Sequence, residues 1–161
     1  MVEIMVHKPK HRVHSFRGLL SDSEPGNQDE INLERQNVNL AYRIIKFQLM
    51  GEKPAGANQE SIVQIFKTEQ TSFSSQVYFT NPDLLAAGYL EAAADAKTEH
   101  QAQIVIFDQE LFSQNIFISH VDDESGESCN YYIEIEEVPV GAATLMQLKL
   151  QVARKLNLQQ D

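Results

Sequence analysis

The chain has 161 residues, a formal net charge of −10 and a single cysteine. This length suits one domain with its own hydrophobic core. One cysteine excludes both an intramolecular disulfide framework and a zinc site built from several cysteines. The sequence has neither the apolar segment of a signal peptide nor a run of about eighteen apolar residues, so we expect a protein that is made in a cytoplasm and stays soluble there.

The charge is unevenly distributed along the chain. The first eighteen residues carry four basic side chains, at positions 8, 10, 12 and 17, against one acid, Glu3, which gives +3 there and leaves −13 on the rest. An acidic body repels nucleic acid and anionic membranes. We therefore expect no membrane partner and no nucleic-acid partner for the body, and only the basic segment is suited to touch phosphate.

Residues 1–36 show no sustained hydrophobic period, and the segment from Ser21 to Glu30 is turn-forming and charged. This composition predicts an extended N-terminal arm and linker that lies outside the core. An arm of this kind becomes ordered when it binds a neighbouring protein. The alternative interpretation is a flexible terminus that binds nothing.

From residue 37 the pattern becomes that of β-strands. Apolar residues share one parity as far as Ile44 and the opposite parity from Ile45, which predicts a β-bulge between them. Further strands are predicted over residues 61–68, over 73–80 with Val77 and Phe79 facing inward, and over 104–107 and 116–118. Asn81-Pro82-Asp83 is typical of a helix start and predicts one short helix after the third strand.

The clearest strand begins at Cys129. Its residues Cys129, Tyr131, Ile133 and Ile135 alternate with residues that are predicted to face solvent. This period of two predicts an antiparallel sheet with one face in the core. The acidic segment from Asp122 to Glu127 has the composition of a hairpin loop that leads into it.

The C-terminal segment fits two interpretations. Leu145, Leu148, Val152 and Leu156 have the spacing of an amphipathic helix, whereas apolar residues from Met146 also alternate as in a strand. Thr144 as a cap and the length of the segment favour the helix.

Six or more short strands with one brief helix predict a mainly all-β domain over residues 37–161. We expect an antiparallel β-sandwich, preceded by the arm over residues 1–36. The topology is either jelly-roll-like or immunoglobulin-like, and the sequence leaves that choice open.

Motifs for catalysis are absent from the sequence: it has no glycine-rich phosphate loop, no Gly-x-Ser-x-Gly and no His-Glu-x-x-His. Cys129 has inward parity, which predicts a buried hydrophobe, and nothing indicates that His120 activates it. Asp108 and Glu110 flank a strand end, where carboxylates usually accept backbone N–H groups. We therefore expect no catalytic residue and no enzyme.

Two segments contain residue types that could bind a metal ion. His7, His11 and His14 would share one face of a helix, but Pro9 disfavours that helix. The loop from Asp122 to Glu127 lacks the alternating ligands of a calcium loop. We expect no metal and no cofactor.

Two blocks carry a family resemblance. Residues 107–120 read Phe-Asp-Gln-Glu-Leu-Phe-Ser-Gln-Asn-Ile-Phe-Ile-Ser-His, and residues 129–136 read Cys-Asn-Tyr-Tyr-Ile-Glu-Ile-Glu. They resemble small proteins from tailed phages of marine bacteria and cyanobacteria, which share a pattern like F-D-N-E-x-F-N-Q-D-I-Y-V-T-H, a short turn, and C-N-Y-Y-I-E-L-E. The similarity covers roughly residues 40–138. Gln109 stands where that pattern usually has Asn, and Asn115 where it has Asp.

The resemblance implies a virion role and carries over no functional residue. With the sandwich and the arm, it leads us to expect a non-enzymatic virion structural protein, namely a capsid decoration or cement protein. Its expected partners are the major capsid protein and other copies of itself, and its expected place is the capsid surface after assembly in the host cytoplasm. A homotrimer is one arrangement that the threefold axes of a capsid would accept.

The arm residues expected to bind partners are apolar or basic: Val2, Ile4, Val6, Lys8, Lys10, Arg12, Val13, Phe16 and Arg17. The apolar ones are expected to bury surface on several neighbours and the basic ones to anchor the arm electrostatically. The alternatives are a tail-complex adaptor and a sandwich that binds host glycans. Tyr78 and Tyr132 are the aromatic residues that would stack on sugar rings.

Overall fold

The computed structural model describes residues 12–23, 26–33, 39–54, 56–93 and 102–159. In these residues the chain forms eight strands and one helix: β1 (Val13–Leu20), β2 (Gln28–Ile31), β3 (Leu40–Gly51), β4 (Gln59–Phe66), β5 (Leu84–Ala92), β6 (Ala102–Phe107), β7 (Ile116–Asp122), β8 (Cys129–Pro139) and α1 (Ala142–Gln159). Sheet A has the strand order β1-β8-β3, and sheet B has the order β2-β7-β4-β5-β6. All pairs are antiparallel, so the predicted mainly-β sandwich is confirmed.

The strand pairs are nested along the chain. β1 pairs with β8, β2 with β7 and β4 with β5, while β3 approaches β6 without pairing. Nested pairs result when one long antiparallel hairpin is folded over on itself, which gives the jelly roll. The strand order is therefore jelly-roll-like, with β6 paired to β5 in sheet B and not to β3.

β8 lies in the middle of sheet A and supplies the centre of the core. Its inward side chains, Cys129, Tyr131, Ile133 and Ile135, are all buried, as their alternation predicts. The predicted bulge is also present, because the register between β3 and β8 shifts between Ile44 and Lys46.

The sequence assigns residues 13–33 to the arm, and the structure corrects this. They contain β1 and β2, and Leu20, Ile31 and Leu33 belong to the hydrophobic core. β1 pairs with β8 along all eight of its residues, so a distant strand stabilises a segment whose own hydrophobic period is weak. Residues 1–11, 24, 25 and 34–36 of the predicted arm and linker lie outside the described residues.

The helix predicted from Asn81 is wrong, and so is the strand predicted over residues 73–80. Asn81 does form a turn, since its Oδ1 accepts the Asp83 N–H at 3.0 Å and its carbonyl accepts the Leu84 N–H at 3.2 Å. The chain leaves that turn as strand β5, and residues 67–83 are the connection between β4 and β5. A Cβ atom at Gly88 would lie 2.7 Å from Leu49 Cδ1, so the small residues of β5 are needed for packing against β3. Tertiary packing overrides the helical propensity of the segment.

Two further elements complete the fold. The acidic segment after Asp122 does not close a hairpin, because β7 lies in sheet B and β8 in sheet A. The helical interpretation of the C-terminus is confirmed by α1, whose Leu145, Leu148 and Val152 are half-buried.

Within the part of the chain that the structure describes, no helix combines the length and apolar character needed to cross a membrane.

Candidate docking surface

The outer face of sheet B is apolar towards its β6 edge. Val121, Ile62, Tyr89 and Ile104 are successive cross-strand neighbours on β7, β4, β5 and β6. Ile62 is 8% exposed and Ile104 is 57% exposed, so the row is covered in its middle and open at β6. Val105, with the opposite parity on β6, packs partly against the core.

The connection between β4 and β5 continues this apolar surface. Val77 and Phe79 line a shallow groove of about 470 Å³ together with Ile104 and Ile106. A second groove of about 820 Å³, towards α1, shares Phe79 and Ile106 with the first. We call the five exposed side chains of this region the apolar patch: Val77, Tyr78, Phe79, Ile104 and Ile106.

The connection that presents Phe79 is fixed by buried polar side chains. Gln64 Nε2 lies 3.2 Å from each of two backbone carbonyl oxygens, those of Ser74 and Gln76. At the other end, Asp83 Oδ2 accepts hydrogen bonds from Thr68 Oγ1 at 2.6 Å and from Gln70 Nε2 at 3.0 Å. Because these hydrogen bonds hold the connection, the apolar side chains are presented to solvent from an ordered segment.

One edge of β6 has no strand partner among the described residues, since β6 pairs only with β5. Strand β6 carries no charged residue and no proline over its six residues, which read Ala-Gln-Ile-Val-Ile-Phe. Proteins usually protect such edges with charges, prolines or covering segments, because an open edge is a template for another strand. The patch and the open edge together form a surface suited to a protein partner.

Acidic groups border this surface at the end of β6. Asp108 is exposed, and its Oδ1 accepts the N–H of Glu110 at 3.0 Å. Glu110 in turn forms an ion pair with Lys67. Both carboxylates are thus engaged in local hydrogen bonds or ion pairs, and Asp108 adds negative charge beside the apolar patch.

Cys129 and His120 do lie near each other in the interior, around the hydroxyl of Ser61. The Ser61 hydroxyl lies 2.8 Å from His120 Nε2, and Gln59 Nε2 donates to the Ser61 oxygen at 2.7 Å. Both Cys129 and His120 are 0% exposed. Burial raises the pKa of the Cys129 thiol to about 12, which disfavours the thiolate that a nucleophile needs. The cluster is a closed, hydrogen-bonded part of the core.

The other residues that were considered for chemistry make hydrogen bonds within the sandwich. The Asp122 carboxylate accepts the backbone N–H groups of Glu60, Glu124 and Glu127 at 2.9, 3.2 and 2.6 Å, so it orders the connection to β8. Over the described residues, no three His, Cys, Asp or Glu side chains are grouped to hold a metal ion. His14 Nε2 lies 2.6 Å from Glu137 Oε1, while His7 and His11 lie outside the described residues.

The residues expected to bind partners through the arm fall into two groups. Those outside the described residues are Val2, Ile4, Val6, Lys8 and Lys10. The structure places Val13, Phe16 and Arg17 in β1, where Phe16 packs partly against the core, and exposed Arg12 immediately before it. These β1 residues therefore belong to the sandwich, which shortens the arm.

The two tyrosines expected to stack on sugars lie apart. Tyr78 is in the β4–β5 connection beside sheet B, whereas Tyr132 is on β8 of sheet A. The Tyr132 ring is approached by Lys46 Nζ at 5.5 Å from its centre, and its hydroxyl donates to Glu134 at 2.9 Å. They do not form one stacking platform.

Sequence reasoning missed the apolar patch, because it placed Val77 and Phe79 inward on a strand that does not form. A usable signal was present in β6, where apolar residues occupy both parities from Ile104 to Phe107. A strand with two apolar faces needs cover on both.

No protein-family model and no curated protein matches this chain.

Proposed function

We propose that this chain is a non-enzymatic structural protein of a phage virion, which decorates the capsid by docking its apolar patch on the major capsid protein. The observation that carries the proposal is the patch itself. Its five large apolar side chains are between 37% and 66% exposed. A contiguous apolar surface of this kind on a soluble domain marks a site for a protein partner.

The charge distribution supports a protein partner over nucleic acid. The chain carries −10 overall, while the apolar patch and β6 contain no charged residue. The negative body keeps nucleic acid away, and the uncharged patch is free to bury apolar surface on a capsid subunit. Phe79, at 66% exposed, has the character of an aromatic anchor at the centre of an interface.

The setting is supported by the resemblance of residues 107–120 and 129–136 to phage proteins. A jelly roll alone does not specify a role, since the same fold occurs in capsid proteins, lectins and enzymes. The two sequence blocks therefore support the virion setting, and the apolar patch supports docking on a protein partner.

Co-sedimentation with purified capsids that lack this protein tests the proposal. Changing Phe79→Ser together with Ile106→Ser is expected to weaken binding at least about tenfold, because two interface anchors are lost. Met50→Ser is the matched control, since Met50 is 61% exposed on β3 of the other sheet. Unchanged binding by the Phe79 and Ile106 variant would remove the patch from the docking mechanism.

Copy number in purified particles separates decoration from a tail role. A decoration protein follows the number of capsid subunits, whereas a tail adaptor follows the symmetry of the tail. A copy number in proportion to the tail would overturn the capsid assignment and leave a virion role.

A further inference from the structure

We propose that the apolar patch docks on a basic segment of the capsid subunit, and that Glu60, Glu91 and Asp123 bind a lysine or arginine of that segment. The inference rests on the proposed function and names the chemistry of the partner at the same surface. It starts from the shallow groove of about 470 Å³ that Val77 and Phe79 form over the outer face of sheet B. Glu60 and Asp123 line this groove together with the apolar side chains.

The strand register places acidic residues directly beside the apolar floor of the groove. Glu60 on β4 lies opposite Glu91 on β5. Two residues along the same strands, Ile62 lies opposite Tyr89, which in turn lies opposite Ile104 on β6. Successive residues on one face of a strand are about 7 Å apart. The groove therefore has an apolar floor and, about 7 Å from it at one end, a pair of carboxylates.

Asp123 adds a third carboxylate at this end, and we call Glu60, Glu91 and Asp123 the acidic row. The Asp123 N–H donates to the Glu60 carbonyl oxygen at 3.0 Å. Asp123 and Glu91 are exposed, and Glu60 is half-buried. Partial burial raises the pKa of Tyr89, and the nearby carboxylates of Glu91 and Glu60 raise it further. The negative charge of the acidic row therefore acts on the floor of the groove.

The like charges of the acidic row are not compensated within the described part of the chain. None of the ion pairs there includes Glu60, Glu91 or Asp123. Like charges that lie directly opposite each other on two strands destabilise a sheet. A cation from a partner removes this repulsion, so the groove is complementary to a segment that carries a basic residue about 7 Å from the apolar residues that cover the floor.

The charge of the whole chain favours the same partner. A net charge of −10 attracts a basic segment at long range and repels an acidic one. Once the segment is bound, the apolar floor contributes affinity through buried area, and the acidic row at one end fixes the direction in which the segment lies.

Neutralising the acidic row in the full-length protein tests the inference. Glu60→Gln with Glu91→Gln is expected to weaken co-sedimentation with capsids about fivefold at low salt, and to make binding less sensitive to sodium chloride. Glu52→Gln with Glu69→Gln is the matched control, because it removes two exposed acids that do not line the groove. Equal weakening by the two double variants would reduce the effect to net charge and overturn the inference.

The thermal midpoint separates a loss of binding from a folding defect. Because the repulsion between Glu60 and Glu91 is removed, the variant with both glutamines is expected to unfold about 1–2 °C above the wild type, although it binds less tightly. A lower midpoint together with weaker binding would attribute the loss to the fold and contradict the role of the acidic row.

Two synthetic peptides test the charge of the bound segment without capsids. The peptides share one pattern of apolar residues and carry either lysines or glutamates at the other positions. Fluorescence anisotropy is expected to show at least about tenfold tighter binding of the lysine peptide to the wild type. Most of this preference is expected to be lost in the Glu60 and Glu91 variant and kept in the control variant. A preference that both variants keep would sink the inference.

The two proposals fail separately. Capsid binding that is insensitive to the changes at Glu60 and Glu91 would overturn the inference and leave the function. A lysine preference that depends on these residues, in a protein that does not sediment with capsids, would overturn the virion function and leave the basic chemistry of the partner. Sedimentation velocity of the protein alone tests a second copy as the partner. Self-association that the Glu60 and Glu91 variant abolishes would replace the capsid segment with that copy, whereas an unchanged oligomeric state supports the capsid segment.

Discussion

His120 places a titratable ring in the packed interior of the sandwich, at 0% exposed. Its Nδ1 lies 3.3 Å from the Ser21 carbonyl oxygen and therefore carries the hydrogen, while Nε2 accepts from the Ser61 hydroxyl at 2.8 Å. This arrangement suits a neutral imidazole. Burial lowers the pKa of His120, although the Ser21 carbonyl, Asp22 and Asp122 act in the opposite direction.

The lowered pKa predicts a loss of stability in mild acid. Below the ordinary histidine pKa of about 6.5, His120 binds a proton in the unfolded chain more readily than in the folded protein. The free energy of unfolding therefore decreases as the pH is lowered. One such proton contributes at most about 1.4 kcal/mol per pH unit. Urea unfolding of the wild type and His120→Gln between pH 7.5 and 5.5 is expected to show a shallower decline for the variant. Parallel curves would contradict this account of His120.

At the scale of elements, the close approach of β3 and β5 depends on Gly88. A Cβ atom there would lie 2.7 Å from Leu49 Cδ1 and 3.2 Å from Phe47 Cε1, inside the core. Gly88→Ala is expected to lower the free energy of unfolding by about 1–3 kcal/mol through overpacking. Gly141→Ala is the matched control, since nothing lies within 4 Å of its added Cβ, and should change stability by less than about 0.5 kcal/mol. Equal midpoints in urea for both variants would show that β3 and β5 can move apart at no cost.

Local pattern predicts the elements whose signal is contained in a few residues. The alternation from Cys129 to Ile135, the bulge after Ile44 and the helical spacing of Leu145, Leu148 and Val152 are all present in the structure. The segment from Asn81 was predicted as a helix because the turn at Asn81 has helix-start chemistry. Its strand conformation depends on contacts with β3, which no local window contains.

The docking surface was predictable only in part. The apolar residues of β6 are visible in the sequence, but their exposure depends on β6 being the last strand of sheet B. Val77 and Phe79 reach the same surface because Gln64 and Asp83 hold the β4–β5 connection. Gln64 is 10 and 12 residues from the two carbonyl groups that it binds, and Thr68 is 15 residues from Asp83. No motif marks these pairs, so sequence alone could not place them.

At the scale of the whole molecule, the nested strand order pairs the first strand, β1, with the last strand, β8. His14 in β1 contacts Glu137 in β8 across a sequence separation of 123 residues. Pairings of this range set a slow, non-local folding route. They also explain why β1 could not be predicted from its own residues, since its position depends on pairing with β8 and its own hydrophobic period is weak.

The same nesting predicts how far the N-terminus can be shortened. Removing residues 1–11 leaves β1 intact, whereas removing residues 1–20 deletes β1, exposes the β8 edge and removes Leu20, which is 0% exposed. Loss of one buried leucine alone costs about 2–5 kcal/mol, comparable with much of the stability of a small domain. The shorter deletion is therefore expected to keep one cooperative thermal transition within about 5 °C of the full chain, and the longer one to abolish it or aggregate. A folded, monomeric protein lacking residues 1–20 would show that β1 is dispensable and would return those residues to the arm.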